Sequence, residues 1–263
     1  MNIKICKNKI RVEAIDTTGR IFDIWEKDKN IEQNFNAPLI NAPKKYFIDS
    51  TLVTIENKNK TGCINYRLDD GLYYKTSAKV KSLVIKNTTT VSALVSDVGD
   101  ESREIVKTMK KLPIMAKQKL SVKKIRADYY EGYFTMLPDF DHIKPNATFL
   151  SDSVSLLYIK PRIKDHFAVR FKGSFLIPET EVFRFFLQSY DGSRLIIDGK
   201  EIINNDGVHY EINKESFVAL EKGIHNFELQ YFDYTRRETL ILKMGVASKY
   251  MMSDFNTFVK TEK

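Results

Sequence analysis

Short runs of β-branched and aromatic residues recur along the whole chain, each closed by Gly, Asn, Asp or Pro, while helical periodicity is hard to find. A helix buries one face through apolar residues three or four apart; a half-buried strand alternates every second residue. Leu52 with Thr54, and Ile64 with Tyr66 and Leu68, show the second pattern. The chain therefore reads as all-β. Residues 2–30 hold two or three short strands, and Asn34 to Pro43 reads as a linker. Residues 44–112 carry five strands, TLVTIE, CINYRL, KSLVIK, TVSALV and REIVKTM, enough for a small Ig-like sandwich. Pro113 then breaks the chain. From Val122 onward longer strands follow, among them FAVRFKGSFLI, EVFRFFLQS, SFVAL and IHNFELQYFDY, which suit a larger sandwich or a barrel. Asp198-Gly199 between Leu195-Ile196-Ile197 and Glu201-Ile202-Ile203 is the strongest hairpin signal.

A length of 263 residues is comfortable for two domains. Hydrophobic residues at 43% can fill ordinary cores and exclude wholesale disorder. Apolar runs stay well below the roughly 18 residues of a membrane span. Lysines interrupt the N-terminal stretch before a signal-peptide apolar region forms, so the chain is either cytosolic or a piece of a longer exported protein. Cys6 and Cys63 allow one disulfide at most, and His142, His166, His209 and His225 show no metal-binding spacing. Nucleophile elbow, zinc-protease, phosphate-loop and CxxC patterns are all missing. The carboxylate pairs Asp69/Asp70 and Asp139/Asp141 fall in predicted turns. The chain reads as non-catalytic.

The net charge of +8 is uneven: residues 1–127 hold 25 basic and 14 acidic side chains (+11), and residues 128–263 hold 17 and 20 (−3). The densest basic stretch contains Lys107, Lys110, Lys111, Lys117, Lys119, Lys123, Lys124 and Arg126. It reads either as a polyanion site or as a solvated strand face and linker. No nucleic-acid-binding motif accompanies it.

The later strands carry Ala127-Asp128-Tyr129-Tyr130-Glu131-Gly132, then Asp165-His166-Phe167 and Phe171-Lys172-Gly173. Next come Ser189-Tyr190-Asp191-Gly192-Ser193-Arg194-Leu195-Ile196-Ile197-Asp198-Gly199, Asn204-Asn205-Asp206-Gly207 with His209, and Leu220-Glu221-Lys222-Gly223-Ile224-His225 leading to Tyr231-Phe232. In order and spacing this resembles the PA14 domain family, whose β-sandwich modules occur in glycosidases, adhesins, proteases and toxins and often recognise carbohydrate. The preceding block has Ile64-Asn65-Tyr66-Arg67-Leu68-Asp69-Asp70-Gly71, Ser77, Leu83-Val84-Ile85 and Thr88-Thr89-Thr90-Val91-Ser92-Ala93. It is similar to the Ig-like module at the C-terminus of chitobiases and β-hexosaminidases, without the Pro usual after the turn. The expected organisation is a short β segment over 1–38, that module over 39–120 and a PA14 domain over 121–263.

The resemblance implies a non-catalytic carbohydrate-binding region of an exported bacterial glycan-active or cell-surface protein, located outside the cytoplasm. Its partners are a glycan and an associated catalytic domain; nucleic acid and membrane insertion are not expected. In lectin-like relatives two adjacent aspartates hold calcium; here the matching positions are Tyr190 and Asp191, so one acid survives. A single carboxylate holds calcium weakly. The candidate sugar contacts are Tyr190, Asp191, Arg194, Asp206, His209, Tyr234 and Arg236. For Asp191 the competing reading is a turn residue that caps local N–H groups. Trp25 reads as a packing residue more than a sugar platform. The alternatives are a spacer packed on a catalytic domain, and polyanion binding by the basic half.

Overall fold

The computed structural model describes residues 2–6, 9–15, 19, 21–28, 35–98, 100–119, 124–160, 165–235 and 237–259. It is all-β; among the described residues the helical pieces are two 3₁₀ turns, Leu156–Tyr158 and Phe255–Thr257. Residues 1–42, 52–83 and 89–108 make one compact unit, and residues 43–51, 84–88 and 109–263 make the other.

In the first unit Asn2–Cys6, Lys9–Ile15 and Ile21–Asp28 form an antiparallel meander. The side chain of Trp25 lies outside the described residues. Cys63–Leu68 pairs with Tyr74–Thr76 on one side and Thr89–Asp97 on the other. Ile64 and Tyr66 face the same way as Val95 and Ala93, their register partners, and all four are buried. The turn at Asp69-Asp70-Gly71 forms as expected: Asp69 takes φ +51°, and its Oδ1 accepts the Thr90 N–H at 2.8 Å. Two expectations need correction. The supposed linker contains a strand, Leu39–Asn41, antiparallel to Thr51–Glu56, because Ile40 buries its side chain there. On Thr51–Glu56 the buried face is Thr51, Val53 and Ile55, and Leu52 is exposed.

The second unit is a two-layer sandwich. One sheet runs in the order Ile114–Met115, Ile212–Leu220, Glu181–Tyr190, Thr239–Val246, Ser253–Asp254. The other runs Ala147–Ser151, Ile125–Glu131, Phe167–Ile177, Gly223–Asp233, Ser193–Ile197, Lys200–Asn205. Alternation builds the core: Phe167, Val169, Phe171 and Phe175 meet Phe183, Phe185 and Leu187 of the opposite sheet, with Phe227, Leu229 and Tyr231 beside them. The strand Ala147–Ser151 was not legible in the sequence, and SFVAL extends back to Ile212. The hairpin at Asp198-Gly199 is present, with φ of +49° and +79° suited to the tight primed turn. Asp198 does more than turn the chain. Its Oδ2 lies 2.6 Å from Nδ1 of the buried His225, and its Oδ1 accepts the Asn226 N–H at 2.8 Å. Burial opposes charge on His225, but Asp198 and the Glu221 carbonyl outweigh it and raise the imidazole pKa.

Phe175 is fully buried and touches the rings of Phe185, Phe227 and Phe255 at centroid distances of 6.4, 6.3 and 5.1 Å. Phe175→Ala is expected to cost about 3–5 kcal/mol, read as a lowered denaturation midpoint with unchanged dependence on denaturant.

Candidate functional site

The strand Glu181–Tyr190 ends at Tyr190, and Asp191-Gly192 carries the chain across to the other sheet. Asp191 is only 2% exposed. Its Oδ2 accepts the Tyr234 N–H at 2.8 Å and its Oδ1 the His209 N–H at 3.4 Å. One carboxylate thus ties the 190–192 turn to two other loops. Gly192 is required beside it: a Cβ there would sit 2.3 Å from the Phe232 ring and 2.9 Å from the Gly207 nitrogen. Beneath the turn, Ser189 Oγ lies 2.7 Å from Ser193 Oγ and accepts from Asn205 Nδ2 at 3.0 Å. The Tyr231 hydroxyl donates to the Tyr190 carbonyl at 2.7 Å.

The other candidates gather at the same loops. Asp206 accepts the Leu137 and Gly207 N–H groups through Oδ1 at 2.8 Å each and pairs through Oδ2 with Arg194 at 3.3 Å. Arg194 also meets Glu201 at 3.2 Å. The His209 ring nitrogens face the Tyr210 and Asn205 carbonyls at 2.7 and 2.9 Å. Arg236 lies outside the described residues. Asp191, Arg194, Asp206 and His209 therefore spend their polar groups within the fold, and Tyr190 and Tyr234 remain half-buried.

Sequence reasoning missed the aromatic neighbours. Tyr234 meets the His166 ring edge-on at 5.8 Å, and Tyr133 stacks on the other side of His166 at 3.9 Å. Tyr133 is 78% exposed, and His166 holds a left-handed φ of +66°, an uncommon conformation for a side-chain-bearing residue. Tyr210, 77% exposed, stands edge-on to Tyr190 at 6.0 Å. Asp233 stands out in the sequence only as a member of a late aromatic and charged cluster, Tyr231 to Arg237, and alternation with Phe227, Leu229 and Tyr231 points it inward. Asp233 is fully buried, and its Oδ2 has no hydrogen-bond partner among the described residues. Burial first, then the charges of Glu238, Asp191 and Asp165, push its pKa up to about 7.

The residues do not fit a calcium ion. Both Asp191 oxygens already accept backbone N–H groups, and among the described residues no three acidic, histidine or cysteine side chains converge on one point. Half of the basic stretch is engaged. Lys107 donates to the Ile40 carbonyl, and Lys117, Lys124 and Arg126 pair with Glu221, Asp152 and Asp128; Lys123 lies outside the described residues.

Residues 126–255 match the PA14 domain family. No curated protein matches the chain. Among solved structures, an anti-sigma factor domain-containing protein is 14% identical, with 92% of this chain and 95% of that one covered and a TM-score of 0.45. The PA14 sugar-binding domain from an RTX adhesin is 13% identical over 54% of this chain and 100% of its own, with a TM-score of 0.45. The Epithelial Adhesin 9 A domain from Candida glabrata, in complex with Galb1-3GlcNAc, is 11% identical over 56% and 95%, with a TM-score of 0.46.

Asp191→Ala is expected to strand the His209 and Tyr234 N–H groups, costing roughly 2–4 kcal/mol and speeding hydrogen exchange at those two amides first. Asp233 makes stability depend on pH. Its folded pKa lies above its unfolded value of about 3.8, so the folded state binds the proton more tightly and loses relative stability as pH rises from about 4 to about 7. Asp233→Asn is expected to raise the melting midpoint at pH 8 and leave it nearly unchanged at pH 4. An equal shift at both values would contradict a buried, titrating Asp233.

Proposed function

We propose that this chain is a non-catalytic carbohydrate-binding region of an exported or cell-surface glycan-active protein. The second unit supplies the site, and the first positions it beside a catalytic domain. The observation that carries the reading is the aromatic surface beside the Tyr234 loop: Tyr133 over His166, with Tyr234 at its edge. Amphipathic rings of this kind offer apolar faces for the C–H side of a pyranose while their polar edges stay wet. The PA14 match over residues 126–255 agrees with it. Tyr133 and His166 replace Arg194 and Asp206 as leading contacts, because the latter two are already paired with each other. In this reading binding needs no calcium.

A second reading is a spacer without a ligand of its own. It is favoured by the same internal satisfaction of Asp191, Arg194, Asp206 and His209. Polyanion binding by the basic half is disfavoured by the ion pairs of Lys117, Lys124 and Arg126.

A broad glycan array, run with calcium and with chelator at two salt concentrations, separates the three. A specific hit insensitive to both chelator and salt is expected. A blank array would leave the spacer, and binding confined to sulfated glycans that fades with salt would move the site to the basic half.

A further inference from the structure

We infer that the outer face of the larger sheet in the second unit holds a separate subsite for one neutral sugar unit, floored by Arg170 and Gln230. The inference shares the glycan-binding reading but not its site. Register places Thr148, Asp128, Arg170, Gln230, Arg194 and Asn204 in one row across six strands, all on the face turned away from the core. The next row, Tyr130, Ala168 and Phe232, is roofed by Leu137 and Phe140 of the loop after Glu131. Where that roof ends, a polar cavity of about 340 Å³ is left above the row, near the lower bound of small-molecule sites and suited to a single ring.

The floor is chemically specific. Gln230 is 8% exposed, and its Nε2 donates to Glu228 Oε1 at 2.6 Å, which fixes the amide orientation because a carbonyl there would face a carboxylate. Among the described residues the Gln230 Oε1 is thereby left buried without a donor, and the Nε of the neighbouring Arg170 is buried without an acceptor. A hydroxyl is both: it accepts from Arg170 Nε–H and donates to Gln230 Oε1. Both side chains line the cavity. An anion is disfavoured. Arg170 already faces Asp141 at 2.6 Å and Asp128 at 3.8 Å, and Arg194 faces Asp206 and Glu201, so four carboxylates surround two guanidiniums. The Phe140 ring, 5.6 Å from the Arg170 guanidinium, closes one wall with an apolar surface.

The test is a nuclear magnetic resonance titration of the full chain with the methyl glycosides of glucose, galactose and mannose, and separately with glucuronate and inorganic sulfate. The Gln230 side-chain amide and the Arg170 Nε–H are followed. Saturable shifts at both with at least one neutral glycoside are expected. They should weaken tenfold or more in Gln230→Met and persist in Tyr133→Ala. Shifts with glucuronate or sulfate alone, or no shift with any glycoside because a water bridges the two groups, would overturn the inference. The wild-type resonances decide the matter even if Gln230→Met fails to fold. Array binding that Tyr133→Ala abolishes while the Gln230 and Arg170 signals stay still would sink this subsite and leave the aromatic one standing.

Discussion

A single buried carboxylate, Asp191, holds the loop end of the second unit in place. It accepts N–H groups from two loops that are distant in sequence, at His209 and Tyr234. Backbone donors buried without a partner are costly, so this side chain sets where both loops lie. Gly192 lets the turn pass against Phe232 and Gly207. Asp206 repeats the device one loop away, capping Leu137 and Gly207 while pairing with Arg194. The polar residues of this end are framework, and the aromatic side chains Tyr133 and Tyr210 are exposed beside them.

That division explains how the sequence resemblance and the geometry relate. The Asp-Gly of the family pattern is present, and its acid is engaged within the fold. The second acidic position is Tyr190, whose carbonyl accepts from Tyr231 and whose ring meets Tyr210. Buried negative charge persists nearby in Asp233, and it is relieved by protonation near neutral pH.

Most of the fold was legible because alternation is a local signal. Phe167–Ile177 shows it over eleven residues, and Asp198-Gly199 announces its turn through backbone chemistry alone. Leu39–Asn41 and Ala147–Ser151 were illegible because each is short and edge-lying, with partners supplied by tertiary pairing. The inward side of Thr51–Glu56 misled for a related reason: apolar residues occupy both faces, and only packing selects Val53 and Ile55. At the site, the sequence located the loops but not the roles. Tyr133, His166 and Tyr234 come together from three separate segments, and no spacing rule links them.

Whether this aromatic cluster is a glycan-binding surface is decided by comparing the intact chain with a Tyr133→Ala, Tyr234→Ala double variant on the same glycan array. The double variant is expected to keep its melting midpoint within a few degrees and to lose the array signal by tenfold or more. An unchanged signal in a folded double variant would contradict it.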